Sequence, residues 1–219
     1  MSAEAAELVK SRGYVVLPRL LSPALCAQIV LDLEADYGDG ARANRDDGHV
    51  VRDVGRVSEA AREALSHPEV LGVAAAYLGG DVCVEATAGI VSDARRPFMP
   101  WHCHVGGIDQ ERLRPLLPTL HIDVPQRVMG LLYPGGCDGD SGPLLVHPRR
   151  LGDPLGPPGD PKDPAWPGAI EIHVEPGTVV VADEALYHAV LPQRRPGLRV
   201  IVGAYWVRAS VTRVAGRAG

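Results

Sequence analysis

The chain has 219 residues, a length that fits one domain with a sizeable core. Hydrophobic residues make up 46% and charged residues 22%, as in ordinary globular proteins, and the formal net charge of −5 argues against nucleic acid, which selects basic surfaces. There is no apolar run of about 18 residues and no basic-plus-apolar leader, so we expect neither membrane spanning nor export.

Four cysteines lie far apart and form no CxxC pair, which argues against a structural zinc site or a redox dithiol. A chain of this length does not need a disulfide framework. We therefore expect reduced thiols and a cytoplasmic protein.

The first third of the chain predicts helices. The expected elements are a helix over Ala3–Lys10, a short strand over 13–18, a helix from Pro23 to about Tyr37, a loop over 38–57, and helices over 58–65 and 68–78. Ser22 fits an N-cap because its hydroxyl can accept a hydrogen bond from the first turn, where Pro23 is well tolerated.

After Asp81 the pattern changes to short β-prone runs separated by Gly, Pro and Asp. The predicted strands are 82–91, 97–104, 126–133, 143–147, 169–175, 177–183 and 198–207. Such spacing indicates an antiparallel sandwich or barrel. We predict one domain over 1–219, with a helical part over about 1–80 packed on one sheet of a double-stranded β-helix (jelly roll) over about 81–210.

Two details of this arrangement bear on function. The strands over 177–183 and 198–207 are expected to pair as a hairpin. The segment 148–168 is rich in proline and is expected to loop over one mouth of the barrel, where it and the 105–119 loop would form a lid.

The sharpest local motif is Pro100-Trp-His-Cys-His104. Residues i and i+2 of a strand point the same way, so His102 and His104 can face the barrel interior together and bind one metal ion. The alternative is a pair of surface or hydrogen-bonded histidines. Two nearby donors with one distant histidine are how a facial non-haem iron site is built.

A distant histidine follows the apolar run Thr178–Ala182. His188 is expected just past the end of this strand, with Arg199 pointing into the barrel beside it. A buried arginine needs an anionic partner, and its guanidinium fits a carboxylate with two hydrogen bonds. The alternative is an exposed arginine on an edge strand.

Four motifs together resemble the phytanoyl-CoA dioxygenase family of iron(II)/2-oxoglutarate oxygenases. They are Gly13–Pro18 with Leu21–Pro23, Trp101-His102, Asp140–Pro148, and Pro176–Val181 with His188. The resemblance covers most of the chain and implies that His102 and His188 bind iron(II), that Arg199 pairs with the distal carboxylate of 2-oxoglutarate, and that O₂ is consumed.

The chain departs from the family at one position, because His104 stands where the family has the aspartate of His-x-Asp. Besides His104, three alternatives for the third ligand stay open: Asp109 reaching back from the next loop, the literal His-x-Asp of His121 and Asp123, or an open position as in halogenating members. A histidine ligand at 104 is the first choice, and a histidine there disfavours the open position.

The substrate is expected to be small and polar, because a single phenylalanine leaves little to line a pocket for a fatty acyl group. The resemblance implies hydroxylation, desaturation or oxidative cyclisation. From composition we expect a tailoring step in natural-product assembly, with an aminosugar-like compound as the substrate. Two rival functions stay open: a three-histidine iron dioxygenase that does not use 2-oxoglutarate, and a jelly-roll binding protein without catalysis.

Overall fold

A computed structural model describes residues 2–38, 48–105 and 115–210. Its four helices are α1 (Ser2–Arg12), α2 (Pro23–Tyr37), α3 (Glu59–Leu65) and α4 (Pro68–Leu78). None of the described helices is long and apolar enough to cross a membrane. None of the four cysteines forms a disulfide within the described residues.

Ten strands form two antiparallel sheets in the described part of the chain. They are β1 (Tyr14–Leu17), β2 (His49–Arg52), β3 (Val82–Ser92), β4 (Met99–His102), β5 (Arg127–Tyr133), β6 (Leu144–His147), β7 (Ile170–Ile172), β8 (Thr178–Asp183), β9 (Tyr187–Val190) and β10 (Arg199–Arg208). The large sheet has the order β1-β8-β5-β10-β3-β2 and the small sheet the order β4-β9-β6-β7. The jelly-roll prediction is confirmed.

The predicted helices form where their caps indicate. The hydroxyl of Ser22 accepts a hydrogen bond from the Leu25 N–H at 3.2 Å, and Pro23 occupies the first turn of α2. Gly79 ends α4 in the left-handed conformation at φ 75°, which favours glycine over other residues. Local capping chemistry thus decides the boundaries of these two helices.

Two strands were not predicted. β2 lies within 38–57, which the absence of any hydrophobic period marked as a loop, and it forms by pairing with β3 through contacts such as Val51 with Gly89. β9 is only four residues long and contains His188, which the sequence placed beyond a strand end. Both are short, so pairing with a neighbouring strand determines them more than their own pattern does.

The prediction that 177–183 and 198–207 pair as a hairpin is wrong. β8 pairs with β1 and β5, whereas β10 pairs with β5 and β3, so β5 separates the two. After β8 the chain crosses to the small sheet as β9 before it returns as β10. Moreover, β4 covers only Met99–His102 of the predicted 97–104, and β7 only Ile170–Ile172 of 169–175.

The helices pack on the outer face of the large sheet, as predicted. Ile29 and Leu33 of α2 and Val73 of α4 share a core with the even-numbered side chains of β10, including Trp206. The odd-numbered residues Ile201 and Tyr205 instead belong to the layer between the two sheets. This alternation, which follows from the pleat of a strand, defines the interior of the jelly roll.

The Trp206 ring packs against Gly130 of β5, which pairs with Ala204 in the sheet register. A Cβ built at Gly130 would lie 2.5 Å from the Trp206 ring, and this indole is fully buried. We expect Gly130→Ala to lower the free energy of unfolding by about 1–3 kcal/mol, the usual cost of overpacking a core. Gly80→Ala is the matched control, because a Cβ at Gly80 would meet nothing within 4 Å. Denaturant unfolding measures the difference, and equal stability of the two variants would contradict this packing.

Candidate functional site

Three histidines meet at the interior edge of the small sheet. His102 of β4 and His188 of β9 lie directly opposite each other in the pairing register. Their ring centroids are 4.2 Å apart, and the His104 ring lies 5.0 Å from each. One potential ligand atom from each residue lies within 4.8 Å of the others, so the three side chains could hold one metal ion.

Backbone contacts orient two of the three rings. His102 Nδ1 lies 2.9 Å from the Pro100 carbonyl oxygen, and His188 Nδ1 lies 3.0 Å from that of Leu186. A carbonyl oxygen only accepts hydrogen bonds, so each Nδ1 carries the proton and each Nε2 keeps a free lone pair. Metal-binding histidines are oriented in this way, by a hydrogen bond from the other ring nitrogen.

His104 Nε2 lies 3.2 Å from His188 Nε2. Two nitrogens that bind one metal ion at bond lengths of about 2.1 Å are separated by roughly 3 Å, so the spacing suits shared coordination. His104 follows the end of β4, and its position is fixed by its own backbone N–H, which donates to the Glu184 carbonyl oxygen at 2.7 Å.

Burial favours the neutral form of all three imidazoles. It lowers the pKa of His104 to about 3, with further lowering by the charges of His102 and Arg127. Burial also lowers the pKa of His102, and it lowers that of His188 well below the ordinary value. Neutral imidazole is the form that binds a metal ion, so at neutral pH all three side chains are in the form that can act as metal ligands.

Two of the other predicted ligands, His121 and Asp123, lie elsewhere. His121 Nδ1 lies 3.1 Å from the Gly152 carbonyl oxygen, and His121 forms an isolated bridge with Pro154. Among the described residues, the group of His, Cys, Asp or Glu side chains that could share a metal ion contains His102, His104 and His188, and neither His121 nor Asp123 belongs to it. Asp109 lies outside the described residues.

Arg199 begins β10 and is buried, with 5% of its surface exposed. Its Nη1 donates to the carbonyl oxygen of Gly142 and, at 3.4 Å, to that of Ser141, but its Nε has no hydrogen-bond partner. No carboxylate within the described ranges forms an ion pair with it. Burial lowers the pKa of this guanidinium, yet arginine stays charged in proteins, so Arg199 is a buried cation that pairs with no anion of the described ranges.

Ser92 lies directly across from Arg199 in the β3–β10 register. Its neighbour Val91 belongs to the core under the helices, so Ser92 faces the interior together with Arg199. The Ser92 hydroxyl is buried and has no hydrogen-bond partner. Sequence analysis missed this residue, because a serine at a strand end gives no signal until its cross-strand partner is known.

Gly142 makes room for the Arg199 side chain. A Cβ built at Gly142 would lie 2.6 Å from Arg199 Nη1 and 2.6 Å from the Leu191 carbonyl oxygen, and φ is +76°. Gly142, which lies in the motif Asp140–Pro148, therefore lets the backbone approach the guanidinium closely.

Glu184 is a second residue that the sequence analysis missed. It follows β8 directly, and burial raises the pKa of its carboxyl group to about 7, partly offset by the positive charge of Arg127. Its sequence context, Ala182-Asp-Glu-Ala185, is ordinary. A signal would have been two acidic residues at the end of a wholly apolar strand, where a charge needs a specific reason.

The proline-rich segment packs on the outer face of the small sheet, which differs from the predicted loop over the barrel mouth. The Trp166 and Trp101 rings stack at 4.5 Å, and each indole N–H donates to a backbone carbonyl within the segment, at Asp160 and Asp163. The Tyr187 hydroxyl donates to the Leu155 carbonyl oxygen at 2.9 Å. Trp101 and Tyr187 precede His102 and His188 in sequence, so this packing fixes the strands that carry both histidines.

Three solved structures illustrate what this chain resembles. SnoK from nogalamycin biosynthesis, a non-heme alpha-ketoglutarate-dependent carbocyclase, is 19% identical with a TM-score of 0.70, over 95% of this chain and 85% of SnoK. HygX from Streptomyces hygroscopicus, solved with nickel and 2-oxoglutarate, is 16% identical with a TM-score of 0.72, over 94% and 86%. EctD from S. alaskensis, solved with 2-oxoglutarate and 5-hydroxyectoine, is 18% identical with a TM-score of 0.69, over 96% and 77%. The chain has the fold of non-heme alpha-ketoglutarate-dependent enzymes.

This fold is established by three-dimensional similarity. No protein-family model matches the sequence, and no curated protein does. The resemblance that the four motifs predict is therefore confirmed at the level of the fold, where nearly the whole chain superposes on each of the three structures.

Proposed function

We propose that the chain is an iron(II)- and 2-oxoglutarate-dependent oxygenase that acts on a small polar substrate. One observation carries the proposal: a cluster of three neutral imidazoles and a buried arginine without a counter-ion line the same interior. A metal ion would bind the histidine cluster, and a dicarboxylate would pair with the buried arginine. The fold is shared with SnoK, an alpha-ketoglutarate-dependent carbocyclase, and with HygX and EctD, which were both solved with 2-oxoglutarate bound.

The donor set fits iron(II). Imidazole suits iron, and three protein ligands on one side of the ion leave open positions for a chelating keto acid and O₂. We propose His102, His104 and His188 as the ligands. When bound, iron(II) with 2-oxoglutarate and O₂ supplies the oxidising power, while the protein contributes position and exclusion of water.

The second half of the site fits the far carboxylate of 2-oxoglutarate. Arg199 would donate to this carboxylate through its Nε, which has no acceptor among the described residues, and Ser92 would add a hydroxyl donor from the neighbouring strand β3. Apolar interior side chains such as Val180 and Ile201 surround the layer between the sheets and keep water out.

We propose hydroxylation or oxidative cyclisation as the reaction, in natural-product tailoring. The carbocyclase activity and nogalamycin origin of SnoK, and the 5-hydroxyectoine bound to EctD, support these two outcomes. The helices and the large sheet share one apolar core, which supports our further proposal that the chain acts as one domain. We also propose a cytoplasmic location, with which four cysteines that form no disulfide within the described residues are consistent.

Formation of succinate tests the proposed reaction. We expect iron-loaded protein in air to convert 2-oxoglutarate slowly to succinate, even without substrate, at a rate above that of free iron(II). If iron binds but no more succinate forms than with free iron(II), the better proposal is a three-histidine dioxygenase, for which His104 would also be a ligand. If neither occurs, the chain is a binding protein.

His104 is the least conventional of the three ligands. We expect His104→Ala to weaken iron(II) binding at least about 10-fold, because changes that merely misorient a ligand already cost 10- to 100-fold. His104→Asp should retain binding within a few-fold, since a carboxylate is the usual third donor of a facial iron site. Anaerobic calorimetric titration measures both. A His104→Ala protein with full affinity and turnover would move the third ligand to another residue, such as Asp109.

A further inference from the structure

A cleft of about 690 Å³ opens beside His104, at the end of the large sheet where β5 begins and β10 ends. Its walls include Glu85, Arg127, Glu184 and Val207. Arg127 Nη1 donates to the His104 carbonyl oxygen at 3.2 Å, and the His104 ring packs against Tyr205 at 5.1 Å. The cleft is therefore next to the proposed metal centre and is large enough for a small molecule.

Arg199 and this cleft lie at opposite ends of β10. The inward-facing residues of the strand run from Arg199 through Ile201 to Tyr205, and Val207 then lines the cleft. His104 packs on Tyr205, toward the cleft end. A co-substrate clamped by Arg199 would thus approach the histidine cluster from one side, which leaves the cleft side for the molecule to be oxidised.

The buried carboxyl group of Glu184 has only a weak contact with a cationic side chain among the described residues. Its side chain is 7% exposed, and its one side-chain contact within the described residues is Arg127 Nη1 at 3.5 Å. That distance is long for a hydrogen bond to a charged group. Arg127 is already held by Glu85, through contacts of 2.6 Å from Nε and 2.7 Å from Nη2.

The second arginine of the cleft, Arg208, forms no ion pair with the Glu184 carboxyl group among the described residues. Arg208 also lines the cleft, but its Nη2 lies beside Gly79 at the end of α4, 3.7 Å from a Cβ built there. Within the described ranges, the carboxyl groups of Glu85 and Glu184 thus share the guanidinium of Arg127. Ionising a buried carboxyl group is costly, and a cationic or hydrogen-bond-donating group placed beside Glu184 in the cleft would offset that cost.

We propose that this cleft is the substrate site and that Glu184 binds a protonated amine of a small polar substrate. An ammonium group is compact and offers three hydrogen-bond donors, so it can reach a carboxylate at the wall without displacing Arg127. The inference rests on the proposed function for the position of the metal centre, and it names the substrate class for that centre.

The stability of Glu184→Gln is the first test. This variant keeps the shape of the side chain and removes the uncompensated charge, so we expect a Tm equal to or above that of the natural protein. The exposed Glu175→Gln, which removes a surface contact with Arg19, is the matched control and should also leave Tm unchanged. A fall of more than about 3 °C for Glu184→Gln alone would overturn the proposal, because it would make Glu184 a structural partner of Arg127.

Ligand binding to the metal-free full chain is the second test, with glucosamine, N-acetylglucosamine and glucose as probes. These sugars share a ring and differ in the charge at one position. We expect glucosamine to bind at least 10-fold more tightly than the other two, and Glu184→Gln to reduce this preference to less than 2-fold while Glu175→Gln retains it. Equal binding of the three sugars, no binding of any at 50 mM, or an unchanged preference in Glu184→Gln would overturn the proposal. Because no metal is present, these outcomes are independent of whether the protein uses 2-oxoglutarate.

Discussion

A His188→Ala protein is expected to bind iron(II) more than about 100-fold more weakly than the natural protein. His188 is the histidine most constrained by the fold: it is 5% exposed, its Nδ1 contacts the Leu186 carbonyl oxygen, and its Nε2 faces His104. Loss of a ligand exceeds the 10- to 100-fold cost of losing a group that only orients one. Anaerobic titration with iron(II) measures the affinity, and succinate formation should disappear with it.

His173→Ala is the matched control for this variant. His173 is half exposed, lies 2.8 Å from Glu171, and is not part of the histidine cluster. Its replacement should leave iron affinity unchanged. Equal affinities of the His188→Ala and His173→Ala proteins would show that the cluster does not hold the metal ion.

An Arg199→Gln protein is expected to lose affinity for 2-oxoglutarate while it keeps its affinity for iron(II). The buried guanidinium has no anion in the described part of the chain, so the co-substrate carboxylate would be its partner. Removing one member of a buried charged pair costs about 2–4 kcal/mol, or roughly 30- to 1,000-fold in Kd. Calorimetric titration of 2-oxoglutarate into the anaerobic, iron(II)-loaded variant and natural protein measures the change.

Two further variants serve as comparisons for the loss of 2-oxoglutarate affinity, one with a smaller expected loss and one with none. Ser92→Ala removes one neutral hydrogen bond and should raise the Kd of 2-oxoglutarate roughly 2- to 10-fold. Arg56→Gln removes a guanidinium whose side chain is 83% exposed and should change nothing. If Arg199→Gln weakens iron and 2-oxoglutarate binding equally, Arg199 has a structural role and the co-substrate site lies elsewhere.

The fold was predictable wherever local chemistry decides it. Ser22 and Gly79 mark helix ends through their own hydrogen bonds and backbone conformation. Strands such as β5 and β8 are apolar enough to stand out in the sequence. β9 was not predictable, since four residues including His188 form a strand only because β4 and β6 lie on either side.

The hairpin error has the same origin. Two adjacent β-prone runs usually pair, but here β5 lies between β8 and β10 in the sheet, and the chain visits the small sheet in between. Strand order depends on contacts between residues far apart in sequence, which alternation of polar and apolar residues does not encode.

Some residues of the candidate site could likewise be predicted from the sequence, and others could not. His102, His188 and Arg199 could be identified because they stand in recognisable motifs. The position of His104 in the cluster required the structure, since a histidine in place of a carboxylate gives no indication of whether it turns inward. Ser92 depends on the register of β3 with β10, so local sequence could not identify it. For Glu184, the acidic pair at the end of the apolar strand β8 was a signal, but its place beside His104 depends on a long-range contact.

The central claim is that one interior holds both iron(II) and 2-oxoglutarate. The most direct measurement mixes the anaerobic protein with iron(II) and saturating 2-oxoglutarate and records the weak visible charge-transfer band of the keto-acid chelate. We predict a band in the natural protein, its loss in His188→Ala, and a shift of its 2-oxoglutarate midpoint to higher concentration in Arg199→Gln. Absence of the band in protein that binds iron(II) would contradict the account.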